Sequence, residues 1–153
     1  MAHIQDIPEP TRSAVLALDI PTPAARPWVT GPPLGQRRVA IVTSAALHHR
    51  GEAPFLPGSA EFRALPAATP ASDIRMSHVS INYDRAGFQR DINVVYPVDR
   101  LRELQAEGVI GNAADTHISV MGSTDPATMT ATVEALLARF KRDRIDAVLF
   151  SPV

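Results

Sequence analysis

After residue 37, short apolar runs alternate with longer segments of helical periodicity along the chain. The apolar runs at 38–44, 116–121 and 145–150 predict buried strands, and 73–77 and 92–96 are shorter candidates. Segments 97–107 and 127–142 place apolar side chains on one helical face. Residues 45–58 and 59–72 are predicted to be a loop and a mostly irregular stretch. Because strands and helices alternate, we predict an α/β, Rossmann-like domain with a mostly parallel sheet flanked by helices.

Prolines concentrate at the amino terminus, where residues 1–35 hold half of the 14 in the chain. Proline lacks a backbone N–H and restricts the residue before it, so this stretch is predicted to be an extended arm. A short helix is predicted only at 13–20, and Trp28 is expected to bury its ring and pin the arm. A disordered leader is the alternative. The α/β domain would then comprise residues 36–153.

Composition excludes several kinds of chemistry. The chain has no cysteine, so a thiolate nucleophile, a disulfide or a cysteine-bound metal cannot come from these residues. Any metal site would need His, Asp or Glu. The net charge of -1 provides no field to attract nucleic acid or an anionic membrane. No apolar run reaches the ~20 residues that span a bilayer, and no secretory signal pattern is present. We therefore expect a cytoplasmic protein.

Polar residues follow the first predicted strand and the candidate strand at 73–77. The first cluster contains His48, His49 and Glu52, which could bind a metal or move protons, or form an ordinary solvated loop. If the strand at 73–77 lies parallel to the first strand, His48 and His78 would share one edge of the sheet. His48, His78 and Asp84 would then form a possible metal site.

The segment after His78 supplies the second cluster, which consists of His78, Asn82, Tyr83, Asp84, Asp91 and Asn93. Such residues can contact a substrate, but Asn and Asp also build turns without any catalytic role. Gly122 and Ser123 lie between a strand and a helix, where backbone N–H groups can bind an anion or the helix can simply be capped. His117, near the start of its strand, is expected to be structural.

The combined sequence pattern is more specific than its parts. It includes RVAIVTSAALHHRGEAPF at 38–55, SHVSINYD at 77–84, DINVVYPVDRL at 91–101, EGVIG at 107–111, THISVMG at 116–122 and IDAVLFSPV at 145–153. From about residue 27 to residue 153, this order resembles the selenoprotein B family of the glycine, sarcosine, betaine and D-proline reductases.

The resemblance implies a subunit of a cytoplasmic reductase complex that reductively cleaves a C–N bond in a small amino-acid-like substrate. In that family a selenocysteine or cysteine attacks the substrate carbon, and a pyruvoyl group on a partner subunit is thought to activate some substrates. The Sec/Cys pair lies beyond the strand that matches DAVLFSPV. We therefore expect a UGA selenocysteine codon after Val153, so that the chain would be a truncated selenoprotein. A naturally short paralogue is the alternative, and in either case the isolated chain is expected to be inactive.

The matched positions and the strand-end geometry together yield a set of predicted site residues. The predicted catalytic residues are His48, His78 and Asp84, and the predicted substrate contacts are Tyr83, Asp91, Asn93, Gly122 and Ser123. The expected partners are the other reductase subunits and a second copy of the chain. Two alternatives stay open. One is a metal-dependent α/β enzyme that uses His48, His78 and Asp84. The other is a non-catalytic assembly module whose contact surfaces are the Pro-rich arm and the edge of the last strand.

Overall fold

The computed structural model describes residues 3–17, 29–80 and 85–153. The chain divides into two compact units, Met1–Thr30 and Gly31–Val153. The division into an arm of residues 1–35 and a domain of residues 36–153 stays a prediction. In the first unit, helix α1 spans Thr11–Leu16. Its start is held by the Glu9 carboxylate, which accepts hydrogen bonds from the Ser13 hydroxyl at 2.7 Å and the Ser13 N–H at 3.2 Å. Trp28 lies outside the described residues.

The second unit contains seven strands and three α-helices among its described residues. The strands are β1 (Arg38–Thr43), β2 (Leu47–His49), β3 (Phe62–Pro66), β4 (Ile74–Met76), β5 (Asn112–Ala113), β6 (Thr116–Val120) and β7 (Ala147–Ser151). The helices are α2 (Arg85–Arg90), α3 (Val98–Ala106) and α4 (Thr130–Arg142).

Strand β1 organises a five-stranded, mostly parallel sheet. It pairs in parallel with β7 from Val39 to Thr43, and with the shorter β5 and β6 at its two ends. Strand β3 joins antiparallel to β6 and completes the sheet. The residues of β1 are buried or half-buried, as expected for a parallel strand covered on both faces.

The core lies between this sheet and α3. Val39 and Ile41 of β1 cluster with Val98 and Leu101, which α3 presents one helical turn apart. Pro97 precedes α3, and Gly108 lies just beyond its end with a φ of +73°. The helix therefore begins and ends where these two residues predict. This packing fixes the direction of β1 and, with it, the edge of the sheet where its carboxyl end lies.

Three local predictions are wrong. The apolar run at 92–96 contains a 3₁₀ helix, Ile92–Val94, instead of a strand. The Asn93 N–H of this helix donates to the Asp91 side chain. Residues predicted to be loop or irregular contain β2 and β3. Strand β4 occurs where it was predicted, but it is antiparallel to β2 in a separate two-stranded sheet. Because β4 does not lie parallel to β1, the argument that brought His48 and His78 to one edge fails.

The predicted α/β class with a mostly parallel sheet is confirmed, whereas the Rossmann-like description and the Pro-rich extended arm stay predictions. Among the described residues, no helix has both the length and the apolar character that crossing a membrane requires.

Candidate functional site

Three parallel strands end together at one edge of the main sheet. Ser44 follows β1, Gly122 lies two residues after β6, and Val153 lies two residues after β7. In open α/β sheets the carboxyl ends of parallel strands are where ligands gather, because loops and helix starts converge there. We call the residues Ser44, His78, Gly122 and Val153 the carboxyl-edge cluster, and the following contacts define it.

His78 is brought to this edge by the segment that follows β4. The Ser77 N–H donates to the Ala46 carbonyl at 3.0 Å, which carries the chain from the small sheet onto the end of β1. His78 as a whole residue is 5 % exposed. Its Nδ1 accepts the Ser80 N–H at 3.3 Å, and its Nε2 lies 3.1 Å from the Val153 carbonyl oxygen. A neutral ring with Nδ1 as acceptor carries its proton on Nε2, so Nε2 donates to Val153.

Gly122 makes room for this imidazole. A Cβ at position 122 would lie 2.9 Å from His78 Nε2 and 3.0 Å from the Ser44 carbonyl oxygen. Real Cβ atoms essentially never come as close as the contact to His78, and the contact to the Ser44 backbone is tighter than most real Cβ contacts. Glycine at this position is therefore required by the close approach of β1, β6 and His78.

Hydroxyl groups fasten the ends of β1 and β7. Ser44 Oγ accepts the Val153 N–H at 2.9 Å. Thr43 Oγ1 and Ser151 Oγ both donate to the Val95 carbonyl, at 2.7 Å and 3.0 Å. These bonds draw the segment between α2 and α3 over the strand ends. The cluster is thus held by three strands and one connecting loop, which is a rigid setting for His78.

Asp91 and Asn93 take part in a capping network at the start of α3. The Asp91 carboxylate accepts from the Asn93 backbone at 2.9 Å and from its Nδ2 at 2.8 Å. Both bonds lower the pKa of Asp91, and the bond from the Asn93 backbone N–H has the larger effect. Asn93 also donates to Asp99 Oδ2 and accepts the Asp99 N–H, each at 3.0 Å. Both side chains are occupied in this structural network, and their predicted substrate contacts stay predictions.

His48 lies on β2 opposite Arg75, and its Nδ1 is 3.0 Å from the His49 carbonyl. The described ring contact of His48 is therefore local to β2, whereas those of His78 are with Ser80 and Val153. Across residues 3–17, 29–80 and 85–153, no three His, Asp or Glu side chains form a group that could hold a metal ion. Asp84 and Tyr83 lie outside the described residues, so the predicted His48/His78/Asp84 set and the role of Tyr83 stay predictions.

Ser123, next to Gly122, has a φ of +60°. The neighbouring Thr124 hydroxyl lies 3.1 Å from both the Ser59 and the Met121 carbonyl oxygens, so its one proton is shared between them. The start of the following helical segment is capped by Asp125, whose carboxylate accepts the Ala127 N–H at 2.9 Å. Capping therefore explains much of the turn sequence, and a substrate contact from Ser123 stays a prediction.

His117 lies on β6 and is fully buried. Its Nδ1 accepts the Ile41 N–H at 3.1 Å, and its ring meets Tyr96 edge-on with centroids 5.5 Å apart. Burial lowers the pKa of His117 to about 4, and burial also raises the pKa of Tyr96. A buried, neutral histidine that accepts a backbone N–H from β1 belongs to the core.

Sequence reasoning missed two residues near His78. Ser44 is the first residue after β1, and its place at a strand end is a signal that could have identified it. Arg85, the first residue of α2, donates to the His78 carbonyl at 2.6 Å. No pattern in the sequence pairs Arg85 with His78, because the contact depends on how the intervening segment folds.

Comparison with known proteins connects this geometry to a family. The glycine/sarcosine/betaine reductase selenoprotein B family model matches residues 70–152, which is more than half of the chain. D-proline reductase subunit gamma of Acetoanaerobium sticklandii is 34% identical over 116 residues, covering 74% of this chain and 47% of the relative. No solved structure matches.

Two further relatives are components of named complexes. Glycine reductase complex component B subunit gamma of Carboxydothermus hydrogenoformans is 26% identical over 77% of this chain and 28% of the relative. Sarcosine reductase complex component B subunit beta of Peptoclostridium acidaminophilum is 34% identical over 45% of this chain and 16% of the relative. The chain spans less than half the length of each of these curated relatives. The family match includes His78, Gly122 and the end of β7, and the chain belongs to the glycine/sarcosine/betaine reductase selenoprotein B family.

Proposed function

We propose that this chain forms part of a reductase complex that cleaves a C–N bond of glycine, sarcosine, betaine, D-proline or a related amino-acid substrate. The observation that carries the proposal is the carboxyl-edge cluster, in which His78 Nε2 lies 3.1 Å from the Val153 carbonyl. The names of the relatives supply the reaction class, since they are D-proline, glycine and sarcosine reductase components.

The chemistry of C–N cleavage needs a proton for the departing nitrogen. A selenocysteine or cysteine beyond the position of Val153, and a pyruvoyl group on a partner subunit, would supply the nucleophile and the substrate activation that the family resemblance implies. His78 would act as the general acid in its protonated form, because an imidazolium can give up its Nε2 proton near neutral pH and regain one from solvent. Ser44 and Gly122 would keep that ring at the strand ends.

The test is an assembled reductase complex that contains this polypeptide, supplied with each substrate and a reductant. Cleavage of the C–N bond releases ammonia from glycine, methylamine from sarcosine and trimethylamine from betaine, and it opens the ring of D-proline. The amine product therefore identifies the substrate. We expect His78→Ala to reduce the rate by 10²–10⁴-fold, the usual range for losing a general acid.

His48→Ala provides a comparison within the same complex. His48 is one of the predicted catalytic residues, but its described contacts do not reach the carboxyl-edge cluster. A complex that forms no amine from any of the four substrates, or that keeps its full rate after His78→Ala, would contradict the proposal.

The cytoplasmic location implied by the resemblance stays a prediction.

The second candidate function is an assembly module, and the exposure of β7 favours it. Leu149 is 41% exposed and Phe150 is 71% exposed, although parallel strands are usually covered on both faces. Within the described residues, β7 pairs with β1 and with no other strand. A second copy of the chain or another subunit of the complex would bury this edge. This role is compatible with catalysis at the carboxyl-edge cluster.

A further inference from the structure

The Arg85 side chain contacts two backbone carbonyls of the turn that holds the His78 ring. Its terminal nitrogen Nη2 donates to the His78 carbonyl at 2.6 Å and reaches the Ser80 carbonyl at 3.5 Å. Charge-assisted hydrogen bonds of this kind are about twice as strong as neutral ones. The guanidinium therefore holds the His78 carbonyl by a short bond and the Ser80 carbonyl, two residues further on, by a long and weak one.

The same two residues orient the imidazole. The Ser80 N–H donates to His78 Nδ1 at 3.3 Å, which leaves Nε2 to face Val153. This bond exists only while the backbone of Ser80 turns back toward the ring of His78. Since Arg85 bonds strongly to the His78 carbonyl and also reaches the Ser80 carbonyl, it stabilises the turn. The turn in turn selects the ring orientation and the nitrogen that presents a proton.

We propose that Arg85 is the positioning residue for His78, so that its guanidinium maintains Nε2–H at the carboxyl edge. The catalytic importance of this positioning rests on the proposed function, but the positioning itself can be measured without any reaction. Arg85 acts through His78 and contacts neither the Val153 carbonyl nor Gly122 in the bonds described above. Its place at the start of α2 ties that helix to the site.

The experiment follows the His78 Nε2–H proton by NMR in the full chain. We expect the wild-type proton to exchange slowly with water, because His78 as a whole residue is 5 % exposed and Nε2 is bonded to Val153. Arg85→Gln should accelerate this exchange by tenfold or more, and Arg85→Lys, which keeps the charge, should restore part of the protection. Arg90→Gln is the matched control, since Arg90 is an exposed arginine at the other end of α2.

The outcomes separate positioning from general stability. Faster exchange at His78 in Arg85→Gln, with unchanged exchange at the buried His117 ring, supports the proposal. Unchanged exchange at His78, or an equal acceleration in Arg90→Gln, overturns it. If Arg85→Gln does not fold, the Arg85→Lys comparison decides by the same two criteria. A supported result with no reductase activity in the assembled complex would refute the proposed function and leave the positioning role intact.

Discussion

At the scale of single residues, His117 shows how burial gives a side chain a measurable pH signature. Its pKa falls from 6.5 to about 4, so between these values the unfolded chain binds a proton that the folded chain does not. Stability is therefore highest above pH 6.5 and decreases as the pH falls toward 4. We expect a loss on the order of 2 kcal/mol between pH 7.5 and pH 5.

Urea unfolding at a series of pH values measures this loss. His117→Leu should lower stability at pH 7.5, by about 1–3 kcal/mol, because the Ile41 N–H loses its acceptor. The same variant should also flatten the pH profile. His3→Gln, at an exposed position of the first unit, should keep the wild-type slope. A His117→Leu protein with an unchanged slope would show that another group is responsible.

Gly122 is the subject of a second prediction at this scale, and Gly87 serves as a control for which the opposite effect on stability is expected. Gly122→Ala should destabilise the chain by about 1–3 kcal/mol, because the new Cβ overlaps His78 Nε2 and the Ser44 carbonyl. Gly87→Ala, on α2, places its Cβ at an ordinary 3.6 Å from Val94 and should stabilise by about 0.5–1 kcal/mol. The urea midpoints of the two variants are compared with that of the wild-type chain. Shifts in the same direction would contradict this account.

At the scale of elements, the sequence predicts those segments whose patterns are long or well bounded. Strand β1 is a continuous apolar run, and α3 and α4 repeat apolar positions over several turns, so local sequence decides them. Strand β3 is different: it ends in Pro66 and carries Arg63, and it exists because it pairs antiparallel with β6. Such pairing joins distant residues and leaves little local signal.

The strand prediction for residues 92–96 was wrong for a related reason. Its apolar composition fits a strand, but Asp91 bonds to the Asn93 backbone and starts a 3₁₀ turn. The turn leaves the Val95 carbonyl free to accept the Thr43 and Ser151 hydroxyls from two strands. The same limit applies to the site. The location of Gly122 at the edge of the sheet could be predicted, because the residue directly follows a predicted strand. The contact between Arg85 and His78 could not be predicted.

The hydroxyl contacts to Val95 make a prediction about how elements are joined. Thr43 Oγ1 donates to Val95 and also accepts the Ala45 N–H at 3.2 Å in a fully buried position. Thr43→Val keeps the shape of the side chain but removes both bonds, and should cost about 1–3 kcal/mol. Ser151→Ala removes only one donor to Val95 and should cost less. Chemical denaturation compares the two, and equal losses would argue against a dual role for Thr43.

At the scale of the whole molecule, the parallel sheet and the family could both be identified from the sequence. The order of strands and helices gives the first, and the stretches at 77–84, 91–101 and 107–111 give the second. The exposed face of β7 could not be predicted from the sequence, since a pattern of apolar residues does not say which of them neighbouring elements cover. The register shows which residues share that face. Phe150 pairs with Val42, so both side chains lie on the face opposite Ile41 and α3.

This exposed edge leads to a prediction about assembly. If a second copy of the chain covers β7, light scattering after size exclusion should give a mass above one chain. Phe150→Asp should then shift the population toward the monomer, because a carboxylate on an edge strand opposes pairing and cannot be buried unpaired. The substitution should change the stability of the monomer little, since Phe150 is 71% exposed. Val109→Asp, at an exposed position after α3, should leave the mass unchanged. A monomeric wild-type chain would rule out the predicted homo-oligomer, and an oligomer that is indifferent to Phe150→Asp would place its interface elsewhere.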